Sequence, residues 1–581
     1  MAIRTAASSG PSCWSFSSMA RLLSTVTAFT ALAAAPAHAR AQAQQQHFSE
    51  QPRHGSTASA DSAWAPTSVL STIQLGGSLT RSSAVYSLEK RDSSHGGDSH
   101  RWTTAVRGAH QGGWVEATTG KGTSKRKIEM LPAAVDDDLT LYSLDLAPES
   151  DSGATSLAVT VSSVQSHQTV PLPAKLAQNA ESVYLLWKGD LLAPIAGLPA
   201  DQRRHVKEIK VRVKTPTPRI VSYETPEGFE AHQQTGSATL TFTSKPGVDF
   251  STLSEQIAAV HFQQPEAVAA IRKLDRIVEL SHWGNNLAIQ DTIDLFNAGP
   301  ELDGQFARID FQKASMMRRQ GITAIPSLSL SLPSSASNPY FYDLVGNVST
   351  SHFRSSSSFS SNGILPSQQQ KKRNSHTPAV LELKPRYPIL GGWNYSFTIG
   401  YDLPLGEFVR TRAEKGSGKY LAAVPFLTPI KDVAIDAVRV EIRLPEGARW
   451  GFSSSAFYGL GSSQTDSSRP RVCARSDIHV HTPFPMSTVS YPAFVPSLFG
   501  KHHTVQEGGA VSWTYLDSTG RPTVVLTKEG CTDMHGGDVL IEYTLPFYVD
   551  WFQKPIACAS VLASLFVAIA LAKRVKTTIP S

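Results

Sequence analysis

The feature that most constrains the fold of this chain is a repeated two-residue alternation of apolar and polar side chains. The segment VRVEIRL, residues 438–444, has apolar residues at every second position and charged residues between them. IKVRVK at 209–214 and ATLTFT at 238–243 repeat this period. Because successive side chains of a strand point to opposite faces, each segment is predicted to be a strand with one buried face. Turn-like PEG triplets at 226–228 and 445–447 favour packed antiparallel sheets.

Length and polar interruptions indicate how these strands are divided. A chain of 581 residues can form several domains of about 100 to 250 residues each. Residues 40–65 are predicted to be a polar tether, 93–127 a long loop, and 353–378 and 451–510 inserted loops, because polar and small residues dominate these stretches. The formal net charge of +6 is spread over short Lys/Arg clusters, so we predict no nucleic-acid partner.

A single apolar run lies near the carboxyl end. Residues 556–572 (IACASVLASLFVAIALA) carry no charge. As a helix at about 1.5 Å per residue they span about 25 Å, close to the thickness of the endoplasmic reticulum bilayer, about 27 Å. Lys573 and Arg574 follow, and the positive-inside rule then places residues 573–581 in the cytosol. We predict a transmembrane helix at 555–572; a buried core helix is the alternative.

The amino-terminal end has the pattern of a secretory signal peptide. Arg21 precedes the apolar stretch 22–35, and a small-x-small cleavage site ends at Ala39. Cleavage two or four residues later is equally compatible with the sequence. Residues 1–39 are therefore predicted to be removed, which makes the chain a single-pass type I membrane protein with most of its mass in the lumen.

The four cysteines agree with an oxidising compartment. Cys13 lies in the signal peptide and Cys558 in the apolar run, which leaves Cys473 and Cys531 for the lumenal part. A disulfide between these two would stabilise the fold by roughly 4 kcal/mol in the chain-entropy model. The alternative is two buried thiols.

Two sequons predict surface glycans. Asn347-Val-Ser349 and Asn394-Tyr-Ser396 have the Asn-x-Ser/Thr form without proline. Modified asparagines must lie on the surface, so Asn347 and Asn394 are expected to be exposed.

The search for catalytic chemistry gives only two weak candidates. Asp136-Asp137-Asp138 has the paired carboxylates that suit a hard cation, but it also fits an acidic turn before a strand. His479-Val-His481 would place two imidazoles on one strand face and could share zinc with His502, His503 or His535, but a solvated histidine-rich loop is the simpler reading. We assign no catalytic residue, no metal and no cofactor.

The segment LSHWGN at 280–285 carries a family resemblance. It contains His282, Trp283, Gly284 and Asn285, and it resembles the opening of the second lumenal domain in the ribophorin I family, whose members are subunits of the endoplasmic reticulum oligosaccharyltransferase. Five further segments match this family in order: GNVSTSH at 346–352, LKPRYPILGGW at 383–393, GYDLP at 400–404, LPEGA at 444–448 and YLDSTGRP at 515–522. Only nine residues follow Ala572, which resembles the short fungal form.

The resemblance implies an all-β chain with two tandem lumenal antiparallel β-sandwich-like domains, residues 66–275 and 276–550, followed by the transmembrane helix. It implies a noncatalytic scaffold or substrate-presenting subunit of the complex that transfers a preassembled glycan from dolichol pyrophosphate to Asn-x-Ser/Thr. The implied partners are other oligosaccharyltransferase subunits including the catalytic one, nascent polypeptides and the endoplasmic reticulum membrane. An adhesion-type surface receptor and a membrane-anchored lumenal hydrolase are the alternatives.

The family motifs are predicted to be structural. We expect Trp283 to fill a core beside the domain joint, and His282, Asn285 and Asn286 to satisfy backbone groups near the turn at Gly284. Direct contact with substrate is the alternative. Gly391, Gly392 and Trp393, which end the matching segment 383–393, are likewise expected to be a structural motif.

Overall fold

The structure is a computed structural model of the chain. It describes residues 64–90, 101–107, 113–120, 126–128, 130–135, 139–146, 155–234, 236–253, 255–316, 323–356, 378–411, 418–450, 489–490, 505–506, 511–514, 517, 520–546, 549, 552 and 554–574. The predicted signal peptide lies outside the described residues, as do most of the predicted tether and most of the two predicted insertions.

The first half of the described chain consists mainly of strands. They are β1 (Trp64–Gln74), β2 (Leu79–Lys90), β3 (Arg101–Arg107), β4 (Trp114–Thr119), β5 (Arg126–Ile128), β6 (Met130–Val135), β7 (Leu139–Asp145), β8 (Ser156–Ser166), β9 (Thr169–Pro171), β10 (Lys175–Leu176), β11 (Val183–Asp190), β12 (Glu208–Lys214), β13 (Ile220–Glu224), β14 (Phe229–Gln233), β15 (Thr239–Ser244) and β16 (Ile257–Gln264). Helix α1 (Ala200–His205) and a 3-10 turn (Ala193–Ile195) lie between β11 and β12.

The second half continues this pattern. Its strands are β17 (Ala269–Ser281), β18 (Asn286–Asn297), β19 (Glu301–Leu302), β20 (Ala324–Ile325), β21 (Leu328–Leu332), β22 (Ser337–Asp343), β23 (Gly346–Asn347), β24 (Ser351–Arg354), β25 (Ala379–Leu383), β26 (Ile389–Leu390), β27 (Asn394–Pro404), β28 (Val409–Thr411), β29 (Lys419–Pro425), β30 (Ala434–Arg443), β31 (Arg449–Trp450), β32 (Val489–Ser490), β33 (Val505–Gln506), β34 (Val511–Ser512), β35 (Arg521–Cys531) and β36 (Asp538–Thr544). The helices are α2 (Arg308–Met316), α3 (Leu405–Phe408) and α4 (Lys554–Arg574), with a 3-10 turn at Asp533–His535.

These strands form several sheets around two hydrophobic cores. The largest sheet of the first half has the order β14-β15-β12-β1-β2-β8-β4-β5, and a second has the order β13-β16-β11-β9. The main sheet of the second half runs β23-β22-β27-β18-β17-β30-β35-β33, with a further sheet β28-β29-β36-β31. One core collects buried residues from Trp64 to Val268, and the other collects residues from Ile271 to Leu545. The prediction of an all-β chain with an apolar carboxyl-terminal helix is confirmed.

The pairing direction differs from the prediction in two long ladders. β1 pairs with β12 and β17 pairs with β30 in parallel, although most other ladders are antiparallel. The two-residue period specifies which face of a strand is buried, and it carries no information about the direction of the neighbouring strand. A parallel ladder needs a long crossover, and the 152 residues between Ser281 and Ala434 supply one here.

The observed strands differ from several predicted segment boundaries. β1 begins at Trp64, so the last two residues of the predicted tether belong to the first sheet. The predicted loop 93–127 contains β3 and β4, and the predicted insertion 451–510 contains β32 and β33. The domain boundary drawn at residue 275 falls inside β17, which pairs with β18 and β30 from Ala270 onwards. The division into two domains stays a prediction.

Polar contacts connect the two cores. The Arg81 guanidinium lies 2.6 Å from Asp432 and 2.6 Å from Asp533, both in the second half. His167 pairs with Asp436 at 2.6 Å, and the Ser78 hydroxyl accepts a hydrogen bond from the backbone N–H of Ala434 at 2.9 Å. The loops at one end of the first sheet therefore rest against the start of β30 and the end of β35.

Helix α4 is long and apolar enough to cross a membrane. Within Pro555–Arg574, the most apolar 18 residues have a mean hydropathy of 2.3, and none of them is buried. The helix extends the predicted span 555–572 by one residue at its start and two at its end.

Candidate interaction sites

Residues 282–285 form the tip of the β17–β18 hairpin, whose two strands both contribute to the second core. Ser281 and Asn286 are the last paired residues of the ladder. The backbone N–H of Gly284 donates to the Ser281 hydroxyl at 3.1 Å, and the N–H of Asn285 donates to the carbonyl of His282 at 3.2 Å. Asn285 has φ 47°, a left-handed conformation in which asparagine is enriched. These four residues are therefore a tight turn.

His282 fixes this turn to the neighbouring sheet through its side chain. Its Nε2 lies 2.6 Å from the hydroxyl of Tyr543 in β36, and its ring packs edge-on against Tyr420 of β29 at 4.6 Å. Tyr420 and Tyr543 stack on each other. This hydrogen bond of the His282 ring is thus to a tyrosine hydroxyl, and its predicted contact with backbone groups stays a prediction. The backbone carbonyl of Asn285 accepts from the N–H of Leu405 at 3.1 Å. This bond does not use the Asn285 side chain, so the role predicted for that side chain stays a prediction.

Trp283 does not fill a core. Its side chain is 57% exposed at the outermost position of the hairpin, and the prediction of a buried indole is wrong. The exposure reflects tertiary structure, because Trp283 lies at the tip of a hairpin, past the last paired residues Ser281 and Asn286. An exposed tryptophan on a rigid tip is a candidate for contact with a partner surface.

Gly391, Gly392 and Trp393 form a second tight turn, between β26 and β27. A Cβ atom at Gly391 would lie 1.7 Å from the carbonyl oxygen of Pro300. Gly392 has φ 78°, and its N–H donates to the carbonyl of Asn297 at 2.9 Å. The ring of Trp393 packs against Phe306 and Tyr387. All three residues thus take part in backbone or packing contacts of this turn, and their structural role stays a prediction.

The asparagines of both sequons are exposed in the structure. Asn347 lies in β23, and its carbonyl accepts a hydrogen bond from Arg386 at 3.0 Å. Asn394 opens β27, and its carbonyl accepts from the Tyr387 hydroxyl at 3.0 Å. Both hydrogen bonds use the backbone carbonyl of the asparagine. They do not involve the side-chain amide to which a glycan would be attached. Glycosylation stays a prediction.

A buried carboxylate beside Asn347 was missed by the sequence analysis. Asp343 accepts hydrogen bonds from Arg386, from the Tyr395 hydroxyl at 3.0 Å and from the backbone N–H of Val345 and Gly346. Burial raises the pKa of Asp343, but these donors outweigh it and the pKa is lowered. The sequence Asp343-Leu-Val-Gly346 could have indicated this turn. An aspartate three positions before a glycine is typical of a turn in which the carboxylate accepts hydrogen bonds from backbone N–H groups. The arrangement fixes the β22–β23 turn.

Of the residues named for the predicted disulfide and zinc sites, the structure describes only Cys531 and His535. Cys531 is buried at the end of β35, and burial raises the pKa of its thiol to about 12. His535 is also buried. Cys473, the Asp136–Asp138 triplet and the four other histidines lie outside the described residues. Within the described residues, no group of three or more His, Cys, Asp or Glu is placed to hold a metal ion. The disulfide stays a prediction.

Stability is expected to fall in acid because of His535. Burial, with nearby Lys528, lowers the pKa of His535 to about 3, and its Nδ1 accepts from the N–H of Thr532 at 3.0 Å. Between about pH 6.5 and pH 3 the unfolded chain binds a proton here that the folded chain does not. The free energy of unfolding should therefore decrease by about 1.4 kcal/mol per pH unit in this window. Thermal unfolding of the full chain in detergent from pH 7 to pH 4 measures this slope.

The matched variants are His535→Gln and His352→Gln. His535→Gln should flatten the slope, whereas replacement of the exposed His352 should leave it unchanged. An equal slope in the His535 variant and the parent chain would show that another group causes the acid sensitivity.

Comparison with known proteins identifies the family. The family model for ribophorin I matches residues 64–466 and 474–573. The chain belongs to the ribophorin I family. It is 27% identical over 460 residues to dolichyl-diphosphooligosaccharide–protein glycosyltransferase subunit 1A of Arabidopsis thaliana, a match that covers 78% of this chain and 60% of that protein. It is 24% identical over 522 residues to subunit 1 of the same name in Caenorhabditis elegans, covering 90% of this chain and 74% of that one.

The resemblance of residues 280–285 and the other motifs to the ribophorin I family is thus confirmed, and the chain spans less than two thirds of the Arabidopsis relative. Among solved structures, native yeast LTA4 hydrolase gives a TM-score of 0.23 at 11% identity, covering 41% of this chain and 35% of that one. A likeness this weak carries no argument about the function of a ribophorin I protein.

Proposed function

We propose that this chain is a noncatalytic subunit of an oligosaccharyltransferase complex, in which it acts as a scaffold and presents nascent polypeptides to a separate catalytic subunit. The observation that carries the proposal is the ribophorin I match across nearly the whole described chain. Relatives carry the name of subunit 1 of dolichyl-diphosphooligosaccharide–protein glycosyltransferase. The other subunits, the catalytic one among them, are the proposed partners.

The roles of the motif side chains support a scaffold. His282 fixes a hairpin to an adjacent sheet, and Gly391 allows two backbone segments to meet. Asp343 is saturated by donors from its own turn and from β27. Side chains that are held in this way stabilise surfaces and are poorly placed to exchange protons with a substrate.

The proposed location is the endoplasmic reticulum membrane, with a single type I span and the sheets in the lumen. Helix α4 supplies a suitable span, and Lys573 and Arg574 in its last turn favour a cytosolic carboxyl terminus. Orientation in the lumen would expose both sequons to glycosylation.

Glycan attachment tests that orientation. The full chain expressed in eukaryotic cells should lose electrophoretic mass on treatment with an endoglycosidase, because Asn347 and Asn394 are exposed. Asn347→Gln and Asn394→Gln should each remove one glycan, and the double variant should be insensitive to the enzyme. Ser349→Ala is the matched control, since it removes the first sequon and keeps the asparagine. A parent chain whose mobility does not change would contradict the lumenal orientation.

Assembly tests the function itself. The full chain, affinity-purified in mild detergent, should bring with it activity that glycosylates an acceptor peptide from a lipid-linked donor. Depletion of the chain should reduce both the assembly of the complex and its output. Glycosylation by the purified chain alone, or an intact complex after depletion, would contradict the proposal. Glycans processed beyond the endoplasmic reticulum, without co-purifying activity, would instead favour the receptor alternative.

A further inference from the structure

The Trp283 turn lies at the end of the second core from which the chain continues to helix α4. His282 contacts Tyr543, one residue before the end of β36. Leu545 then donates its N–H to the carbonyl of Gly418 at 2.8 Å. On the other side of the turn, Asn286 pairs with Pro404, the last residue of β27. The hairpin tip, the end of β27 and the end of β36 therefore share one end of the core.

The covalent chain keeps this end close to α4. Val549 packs against the second core, and α4 begins at Lys554. Five residue steps of at most about 3.6 Å each allow no more than about 18 Å between them. The apolar run begins at Ile556, two residues further on. Whatever its tilt, this end of the core must lie within roughly 25 Å of the start of the apolar span.

We infer that Trp283 contacts the lipid headgroup layer of the membrane that α4 spans, so that the hairpin tip is a second membrane contact of the chain. This inference rests on the proposed membrane span. Tryptophan suits such a layer because the ring is largely apolar and its N–H finds polar partners at the interface. The exposed Phe552 lies two residues before α4 and is a further aromatic side chain next to the span.

The opposite end of the same sheet lies far from the Trp283 turn, although it also has exposed apolar residues. Asn286 and Phe296 are ten residues apart on β18, about 33 Å at about 3.3 Å per residue. Phe296 pairs with Asn394, so that sequon lies far from the Trp283 turn. Leu344 and Val345 also lie towards this end, since Asp343 pairs with Phe397, and they are 91% and 80% exposed. Exposure alone therefore does not distinguish Trp283; its position beside the path to α4 does.

Site-specific crosslinking to lipid tests the inference. A benzophenone-bearing phenylalanine replaces Trp283, Leu344 or Phe566 in the full chain, one position at a time, and the protein is reconstituted in vesicles of phosphatidylcholine that carries a clickable acyl chain and headgroup tag. Phe566 is an exposed residue of α4 and reports insertion. After illumination we expect lipid adducts from positions 283 and 566 and none above background from position 344.

The outcomes separate the two proposals. Adducts from 566 with none from 283 would overturn the contact and leave the membrane span in place. If position 283 formed adducts with protein and none with lipid, in native microsomes as well as in vesicles, a partner chain or a second copy would cover the tip. This result would also overturn the lipid contact. Adducts from 344 equal to those from 283 would remove the distinction between the two ends. No adduct from 566 would refute the span and the contact together.

Discussion

Replacement of Asp291 by asparagine should destabilise the second core by about 3 to 5 kcal/mol, because it leaves a buried guanidinium without its counter-charge. Arg276 and Asp291 are direct partners across the β17–β18 ladder. They meet at 2.7 Å and 2.8 Å, and neither side chain is exposed. The third guanidinium nitrogen, Nη1, donates to the carbonyl of Pro425 at 2.8 Å. Chemical unfolding of the full chain in detergent would measure the loss.

The matched control is Asp275→Asn on the same strand. Asp275 lies 2.6 Å from Lys273, but both side chains are partly exposed. Solvent screens such a pair, so the change should cost less than about 1 kcal/mol. If both variants lost equal stability, the buried pair would have no special role. A double replacement of Arg276 and Asp291 by leucine should recover much of the loss, since it leaves no unpaired charge.

Gly391→Ala is expected to have the second-largest effect, a loss of about 3 kcal/mol in the free energy of unfolding. The added methyl group would lie 1.7 Å from the carbonyl oxygen and 2.7 Å from the carbonyl carbon of Pro300. Both are backbone atoms, so relief requires the segment after β18 to move. That segment is held by the Leu302 N–H, which donates to the carbonyl of Gly391 at 3.3 Å.

Gly406→Ala provides the control for glycine replacement. A Cβ atom there meets nothing within 4 Å, and the residue lies in helix α3. Alanine is preferred over glycine in helices by up to about 1 kcal/mol, so stability should stay equal or increase slightly. Comparable losses in the two variants would mean that the contact with Pro300 does not limit position 391.

Local pattern predicted the strands well where one face is buried. The alternation at 438–444 corresponds to β30, in which Val438, Val440 and Ile442 are buried. The segment 209–214 corresponds to β12 in the same way. In each case the period alone determines which side chains face the core.

The position of Trp283 could not be predicted in this way, because its burial depends on whether another layer covers the turn. Large aromatic residues are usually buried, and the hairpin tip is an exception that only the tertiary arrangement reveals. The Arg276–Asp291 pair was missed for a different reason. Once the turn is centred between His282 and Asn285, counting back from it places these opposite charges directly across from each other. The sequence contains this signal, but it requires the register of the hairpin.

Strand β17 also sets how far apart the two ends of the molecule are. Val268 belongs to the first core and Ala269 begins the strand, with no intervening flexible segment. The strand then continues over 13 residues to Ser281, with one shift of its register against β18 between Ile271 and Lys273, and it spans about 40 Å at about 3.3 Å per residue. Pairing on both sides restricts bending of a strand of this length. In addition, the N–H of Ala298, which directly follows β18, donates to the carbonyl of Val268 at 2.7 Å. The length of β17 thus sets the distance between the first core and the Trp283 turn. Inserting or deleting residues in this strand would change that distance.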